Sequence, residues 1–436
     1  MVTPGLERGK TKDEGRKSTH STQSLVFRLS SWAPGLIILM FALLQCAPVL
    51  WGRIPVASET LGLWAPWNAL PHPPVQNTAT ADSSLLFLPW LIFARDALAG
   101  GEWPLWDPYS FSGFPFAANS QNLVYYPPTW LSWLLPLSGA LQLSALLPIC
   151  VAGWGMYALA RVLGQGRVGA LVAGMAFAGS GMLQLALHVP SIAAVYGWLP
   201  WLLFATEKAI RERSVRLTAG AALACGVQAV AGNLQWLVYS LFALACWVLW
   251  RAIGLWRQEG VSRALWVLGQ GAAIAVGGLA LASIHLAPFL EMLSQATRSD
   301  ARVSSNSWPL TYLLRLIMPQ FFGTAAPGVG TPLVFNDLWY VGVAPLLLAL
   351  LSLLLRVRHS LFWAGIGLFA VLVAYGIGPF LYVRWLPGLS SLLPVRIGYL
   401  FIAAAALMAG FGYEAWRQAS RERPRHASRL LGISAL

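Results

Sequence analysis

Four of the chain's 16 carboxylates, Asp82, Asp96, Glu102 and Asp107, fall within one stretch, residues 82–128. That stretch, DSSLLFLPWLIFARDALAGGEWPLWDPYSFSGFPFAANSQNLVYYPP, also gathers amides and aromatics, in a chain otherwise built of long apolar runs. A carboxylate that stays ionised can accept a proton from a reacting hydroxyl, so these are the residues of general-base chemistry. Asp82 directly precedes a segment that reads as a helix, where the positive end of the peptide dipoles favours its charge. The plain alternative is a helix cap, a common role for Asp. Asp96 lies beside Arg95 and reads as a solvated charge. Glu102 and Asp107 sit in Glu-Trp and Asp-Pro turns, where a structural role competes with a chemical one.

A second set of groups is cationic or amide. Arg53, Arg95, Arg298, Arg302, Arg315, Arg384 and Arg396 all lie in segments shared with those carboxylates by the topology derived below. A guanidinium presents a planar fork suited to phosphate. Arg298, Arg302, Arg315 and Arg396 are therefore the candidate phosphate ligands, with ion pairing or headgroup contact as the alternative. His188 precedes Pro190 at the end of an apolar run, where a hydrogen-bonded structural His is the competing reading. Asn233 and Gln235 separate two short runs and can line a cavity or satisfy helix ends. Glu291, Asp300, Asn336 and Asp337 fill a later loop. No zinc spacing of His and Cys, no P-loop and no Gly-x-Ser-x-Gly elbow occurs, so ATP use and serine hydrolysis have no support.

The elements that must hold these groups are set by composition. The chain is 57% hydrophobic and 10% charged, with a mean hydropathy of +0.62; soluble domains carry roughly 25% charged residues. An all-α polytopic membrane protein is the only class that fits. With roughly 20 residues per spanning helix, the runs give about ten transmembrane helices. Residues 1–31 read as a basic cytoplasmic tail, Trp32–Trp51 as a retained signal-anchor, and 417–436 as a second basic cytoplasmic segment. Nine further spans are expected near 139–160, 168–187, 190–206, 217–232, 234–250, 264–287, 338–355, 361–380 and 397–416. With the N-terminus inside, 22 of the 29 Lys and Arg fall on inner segments, as the positive-inside rule requires. The net charge of +13 thus belongs to the membrane surface, and no nucleic-acid partner is implied.

This topology leaves two large outer loops, 52–138 and 288–337, and a shorter one at 381–396. Within the first, Ser83–Ala99 reads as a helix capped by Ser83 or Ser84. Its LLFLPWLIF core is too short to cross a bilayer and is expected to lie along the interface. Cys46, Cys150, Cys225 and Cys246 all fall in apolar runs and offer no disulfide framework. The 22 Trp suit two water–lipid boundaries.

The pattern from Asp82 through YYPP resembles the first outer loop of the bacterial YfhO-like membrane proteins, placed among the GT-C-fold glycosyltransferases. Further similar segments follow in order: HVPSIAAVYGWLPWLLFATEKA, GNLQWLVYS, HLAPFLEMLSQATR, MPQFFG, DLWYVGVAPLLLALLSL and LPVRIGYLFIAAAALMAGFG. The resemblance implies an inverting transferase in the bacterial inner membrane. It would take sugar from a polyprenyl-phosphate donor and pass it, on the outer side, to a cell-envelope glycan, lipid or protein. It implies Asp82 as catalytic base and Arg396 as first phosphate ligand. Asp107, Gln121, His188, Gln235 and Asp337 are carried over as substrate contacts with Arg298, Arg302 and Arg315. A divalent cation is used by some members, and no ligand set for one can be chosen. The family usually has WNP where this chain has WDP, and GHxQ where it has GNLQ. Many members continue with further spans and an outer domain, so a short or truncated member is expected. A lipid or glycan transporter and a non-catalytic envelope assembly protein are the alternatives.

Overall fold

The computed structural model describes residues 32–75, 77–295, 308–323, 338–385 and 392–422. These are helical or irregular, with no β-strand among them. The helices are α1 (Trp32–Gln45), α2 (Leu88–Ala99), α3 (Pro127–Trp133), α4 (Leu137–Val162), α5 (Arg167–Ala178), α6 (Gly181–Ala186), α7 (Pro190–Tyr196), α8 (Trp198–Glu212), α9 (Val215–Val230), α10 (Leu234–Glu259), α11 (Val261–Leu281), α12 (Ser283–Ser294), α13 (Val343–Leu354), α14 (Ser360–Tyr375) and α15 (Gly398–Glu422).

Four helical segments, α4, α10, α11 and Pro394–Glu422, are long and apolar enough to cross a membrane. Five shorter apolar helices, α1, α5, α9, α13 and α14, accompany them. Three of the runs read from the sequence as continuous spans are broken in the structure. The run 168–187 divides into α5 and α6, 190–206 into α7 and α8, and 264–287 into α11 and α12, which extends to Ser294. The first break is held from outside: the Gly181 N–H donates to the Tyr340 carbonyl at 2.8 Å, and the Ser180 and Tyr196 hydroxyls are 2.8 Å apart. Backbone freed by a break needs such partners wherever water is excluded.

The core is centred on α15, whose apolar window is 89% buried. Its sequence, GYLFIAAAALMAGFG, is rich in small residues, which let neighbouring backbones approach without a hydrophobic driving force. A Cβ at Gly410 would stand 2.5 Å from the Gly169 carbonyl oxygen, and one at Gly412 would overlap the Leu348 carbonyl oxygen. Helices α5, α13 and α14 pack on it. By contrast, the window of α11 is only 22% buried, leaving an apolar surface outward.

Side chains hold the first loop together and tie it to this bundle. Arg95 of α2 donates to the carbonyls of Ser132 and Leu135, at the end of α3, where helix carbonyls lack partners. Trp198 Nε1 donates to the Tyr126 hydroxyl at 2.9 Å. At the opposite end, Glu207 is fully buried between Arg211 and Arg251, and Trp247 Nε1 donates to it at 3.1 Å.

Candidate active site

The first turn of the predicted interfacial helix is a π-turn, Ser83–Phe87, which runs directly into α2. Ser83 and Ser84 do not cap it. Ser83 Oγ donates to the Thr80 carbonyl at 2.8 Å and accepts from the Ala57 N–H at 3.0 Å. Ser84 Oγ donates to the Ala57 carbonyl at 2.7 Å. The two hydroxyls are buried and satisfy both backbone groups of Ala57, so they clamp the head of the loop onto the turn. The expected cap is replaced because the buried Ala57 N–H would otherwise lack a partner, whereas its carbonyl also accepts from the Thr60 N–H and hydroxyl.

Asp82 stands at the N-cap position with no side-chain cap bond. Its side chain is exposed and has no hydrogen-bond or ion-pair partner among the described residues. Protein packed on its inner side pushes its carboxyl above the usual range by desolvation, which makes it a stronger base than a free Asp.

Ser83, the residue after Asp82, and Phe87 open onto a narrow crevice of about 90 Å³ between α2, α4 and the turn before α7. Its walls are mainly aliphatic and aromatic, and two of the predicted contacts, Gln121 and His188, lie in them. Gln121 is positioned by its own N–H, which donates to Asn119 Oδ1 at 3.0 Å. His188 Nδ1 is buried without a hydrogen bond; burial lowers its pKa, and the charge of Glu59 partly offsets this.

Across the bundle, Gln235 and Arg396 meet although 161 positions separate them. Arg396 donates to Gln235 Oε1 at 3.0 Å, while Gln235 Nε2 donates to the Leu393 carbonyl at 2.8 Å and to the Tyr239 hydroxyl at 2.9 Å. Tyr239, one helical turn beyond Gln235, was missed by sequence reasoning, although the i,i+4 spacing puts both on one face of α10. The same end is tied to the first loop, because a Cβ at Gly232 would stand 2.7 Å from Ser191 Cβ and 3.2 Å from the Ser120 carbonyl oxygen. Tyr196, Trp236 and Tyr399 pack together behind it at tilted to edge-on angles, with centroids 4.9–5.9 Å apart.

No protein-family model matches the chain, and no curated protein matches it significantly.

Two predicted residues are built into the scaffold. Asp107 is 3% exposed; its carboxylate accepts from the Tyr109 N–H at 2.8 Å and Ser110 Oγ at 2.6 Å. That is the structural alternative weighed for its turn, and it leaves the carboxylate facing its own loop. Arg315 is 1% exposed, with its guanidinium 4.4 Å from the Tyr312 ring centroid and 5.5 Å from that of Phe322. Through Tyr312, Trp308 and Trp339 this aromatic wall reaches Gly398, two residues after Arg396. Arg298, Arg302 and Asp337 lie outside the described residues. Among the described residues no group of three or more His, Cys, Asp or Glu converges as a metal site.

Proposed function

We propose that this protein is an integral-membrane glycosyltransferase of the YfhO-like, GT-C type, moving a sugar from a polyprenyl-phosphate donor to a cell-envelope acceptor on the outer side of the bacterial inner membrane. Asp82 carries this reading. It is an accessible carboxylate with no partner among the described residues, followed by two clamped serines, the first of which lines an apolar crevice.

In this reaction the acceptor hydroxyl gives its proton to Asp82 while its oxygen attacks the anomeric carbon, and the lipid phosphate leaves from the opposite face. Arg396, oriented by Gln235, takes the leaving phosphate. The crevice receives the isoprenoid chain beside its apolar walls. Arg298, Arg302 and Asp337 stay in the proposal as contacts from the second outer loop. The chain crosses the membrane ten times with the N-terminus inside, the broken pairs α5–α6, α7–α8 and α11–α12 each crossing jointly. The charge asymmetry supports that orientation, with 22 of the 29 Lys and Arg on inner segments.

The test compares cell-envelope glycans by mass spectrometry in cells carrying the wild-type protein, a deletion, and Asp82→Asn at matched membrane abundance. Loss of the same sugar mass in the deletion and in Asp82→Asn is the expected result. A sugar lost in the deletion but kept in Asp82→Asn would overturn the role of Asp82. No change in either strain would overturn the transferase reading and favour a transporter.

A further inference from the structure

Helix α2 has a second face that the reaction above does not use. Pro89, Ile92, Phe93 and Asp96 recur along it at helical spacing and form one side of an open groove of about 910 Å³; the loop from Glu102 to Tyr109 forms the other. This groove is far larger than the crevice beside Asp82, and its chemistry is different.

Three rings stand in it. Trp103, Trp106 and Tyr109 are 41%, 56% and 85% exposed, yet each has a fixed neighbour. Trp103 packs edge-on against Trp133 at 6.1 Å, outside the groove, while Tyr109 meets Phe93 of the facing wall edge-on at 6.1 Å and closes that end. Trp106 lies on Gly113, where a Cβ would stand 2.5 Å from the ring and where φ is +121°, a backbone only glycine adopts readily. The loop is closed by paired backbone bonds of 2.8 Å between Asp107 and Phe114 and by the buried Asp107 carboxylate. Exposed rings on so fixed a support are pre-set for a ligand, since little side-chain freedom is left to lose on binding.

Charge narrows the choice of ligand. Asp96 and Glu102 line the groove, both exposed, and neither side chain has a hydrogen bond or ion pair among the described residues. The neighbouring cation, Arg95, is turned to the other side of α2 and spent on the α3 carbonyls. No Lys or Arg lines the groove, so an anionic ligand would meet only repulsion. Flat electron-rich faces match the C–H patches of a pyranose, and unpaired carboxylates accept from its hydroxyls.

We infer that this groove is a carbohydrate subsite for a neutral saccharide chain and that it holds the acceptor glycan, a role that rests on the transferase reading, whereas the binding does not. The test uses the full chain in lipid nanodiscs, titrated with chitotriose, maltotriose and, as an anionic control, trigalacturonate. Binding is followed by calorimetry and saturation-transfer NMR. At least one neutral trisaccharide binds and trigalacturonate does not. Trp106→Ala, and separately the pair Asp96→Asn and Glu102→Gln, weaken binding at least tenfold, equal to about 1.4 kcal/mol, without lowering the thermal midpoint. Asp82→Asn binds as wild type does. Failure of both neutral sugars to bind would overturn the inference, as would equal binding of trigalacturonate or indifference to both sets of substitutions. Retained binding with no change in envelope sugar in either the deletion or Asp82→Asn would sink the transferase reading and leave the groove standing.

Discussion

Replacing Asp82 by Asn separates its two possible roles, because they make opposite demands on stability. A helix cap loses about 0.5–2 kcal/mol of stability when its side-chain bond is removed. Asp82 makes no cap bond, so that loss is absent. Burial raises its folded-state pKa, so ionisation opposes folding; any stability it lends is present below the unfolded pKa and fades as pH rises through the folded one. At pH 7 the Asn variant should therefore melt at or slightly above the wild-type midpoint. Its transfer rate, by contrast, should fall by about 10²–10⁴, the usual share of a general base, which corresponds to about 2.7–5.5 kcal/mol of barrier. In the wild type, kcat/KM should drop tenfold per pH unit on the acid side, with a midpoint above the ordinary Asp value of about 4. The assay is sugar transfer by purified protein in nanodiscs, with thermal melting of the same samples. Transfer retained within a few fold, or a lowered midpoint with activity intact, would refute the assignment and restore the cap.

Arg396→Lys keeps the charge but loses the planar fork paired with Gln235; transfer should fall at least about tenfold with a raised KM for donor, and an unchanged KM would remove Arg396 from the phosphate site. Glu207→Ala strands Arg251 and Trp247 Nε1, and should cost roughly 2–4 kcal/mol, below the 3–5 of a fully buried pair because Arg211 is 44% exposed. Melting and membrane yield would show it, and an unchanged midpoint would mean the ion cluster contributes nothing. Gly412→Ala drives a methyl into the Leu348 backbone oxygen, an overpacking cost of about 1–3 kcal/mol or more; wild-type melting would show that α13 and α15 can separate cheaply.

What was legible in the sequence was whatever stood out against apolar runs. Gln235 and Arg396 were singled out as polar groups flanking such runs, and a 3.0 Å bond joins them in the fold. The helix breaks at Gly179–Ser180, Gly197 and Ala282 were not legible, since hydropathy is continuous across them and the groups that satisfy the freed backbone, such as the Tyr340 carbonyl, come from distant residues. Glu207 was passed over for a similar reason. Its i,i+4 partner Arg211 is visible in the sequence, but Arg251 and Trp247 reach it from another helix. Asp107 carried the right residue type for chemistry, and only its burial reveals that the carboxylate is used within its own turn.

Helix α2 divides the labour of the proposed reaction. Leu88 and Leu91, with Phe87 of the preceding turn, face the apolar crevice, whereas Pro89, Ile92, Phe93 and Asp96 face the aromatic groove. A donor that is half lipid and a saccharide acceptor need such opposite surroundings, and they must still meet at one proton acceptor. Asp82 lies at the head of the single helix whose two sides supply both. The fixed elements around it, the Ala57 clamp and the Arg95 anchor, hold that helix at its start and along its length. Loosening either should therefore disturb both ligands together, whereas a change within one wall should disturb only its own.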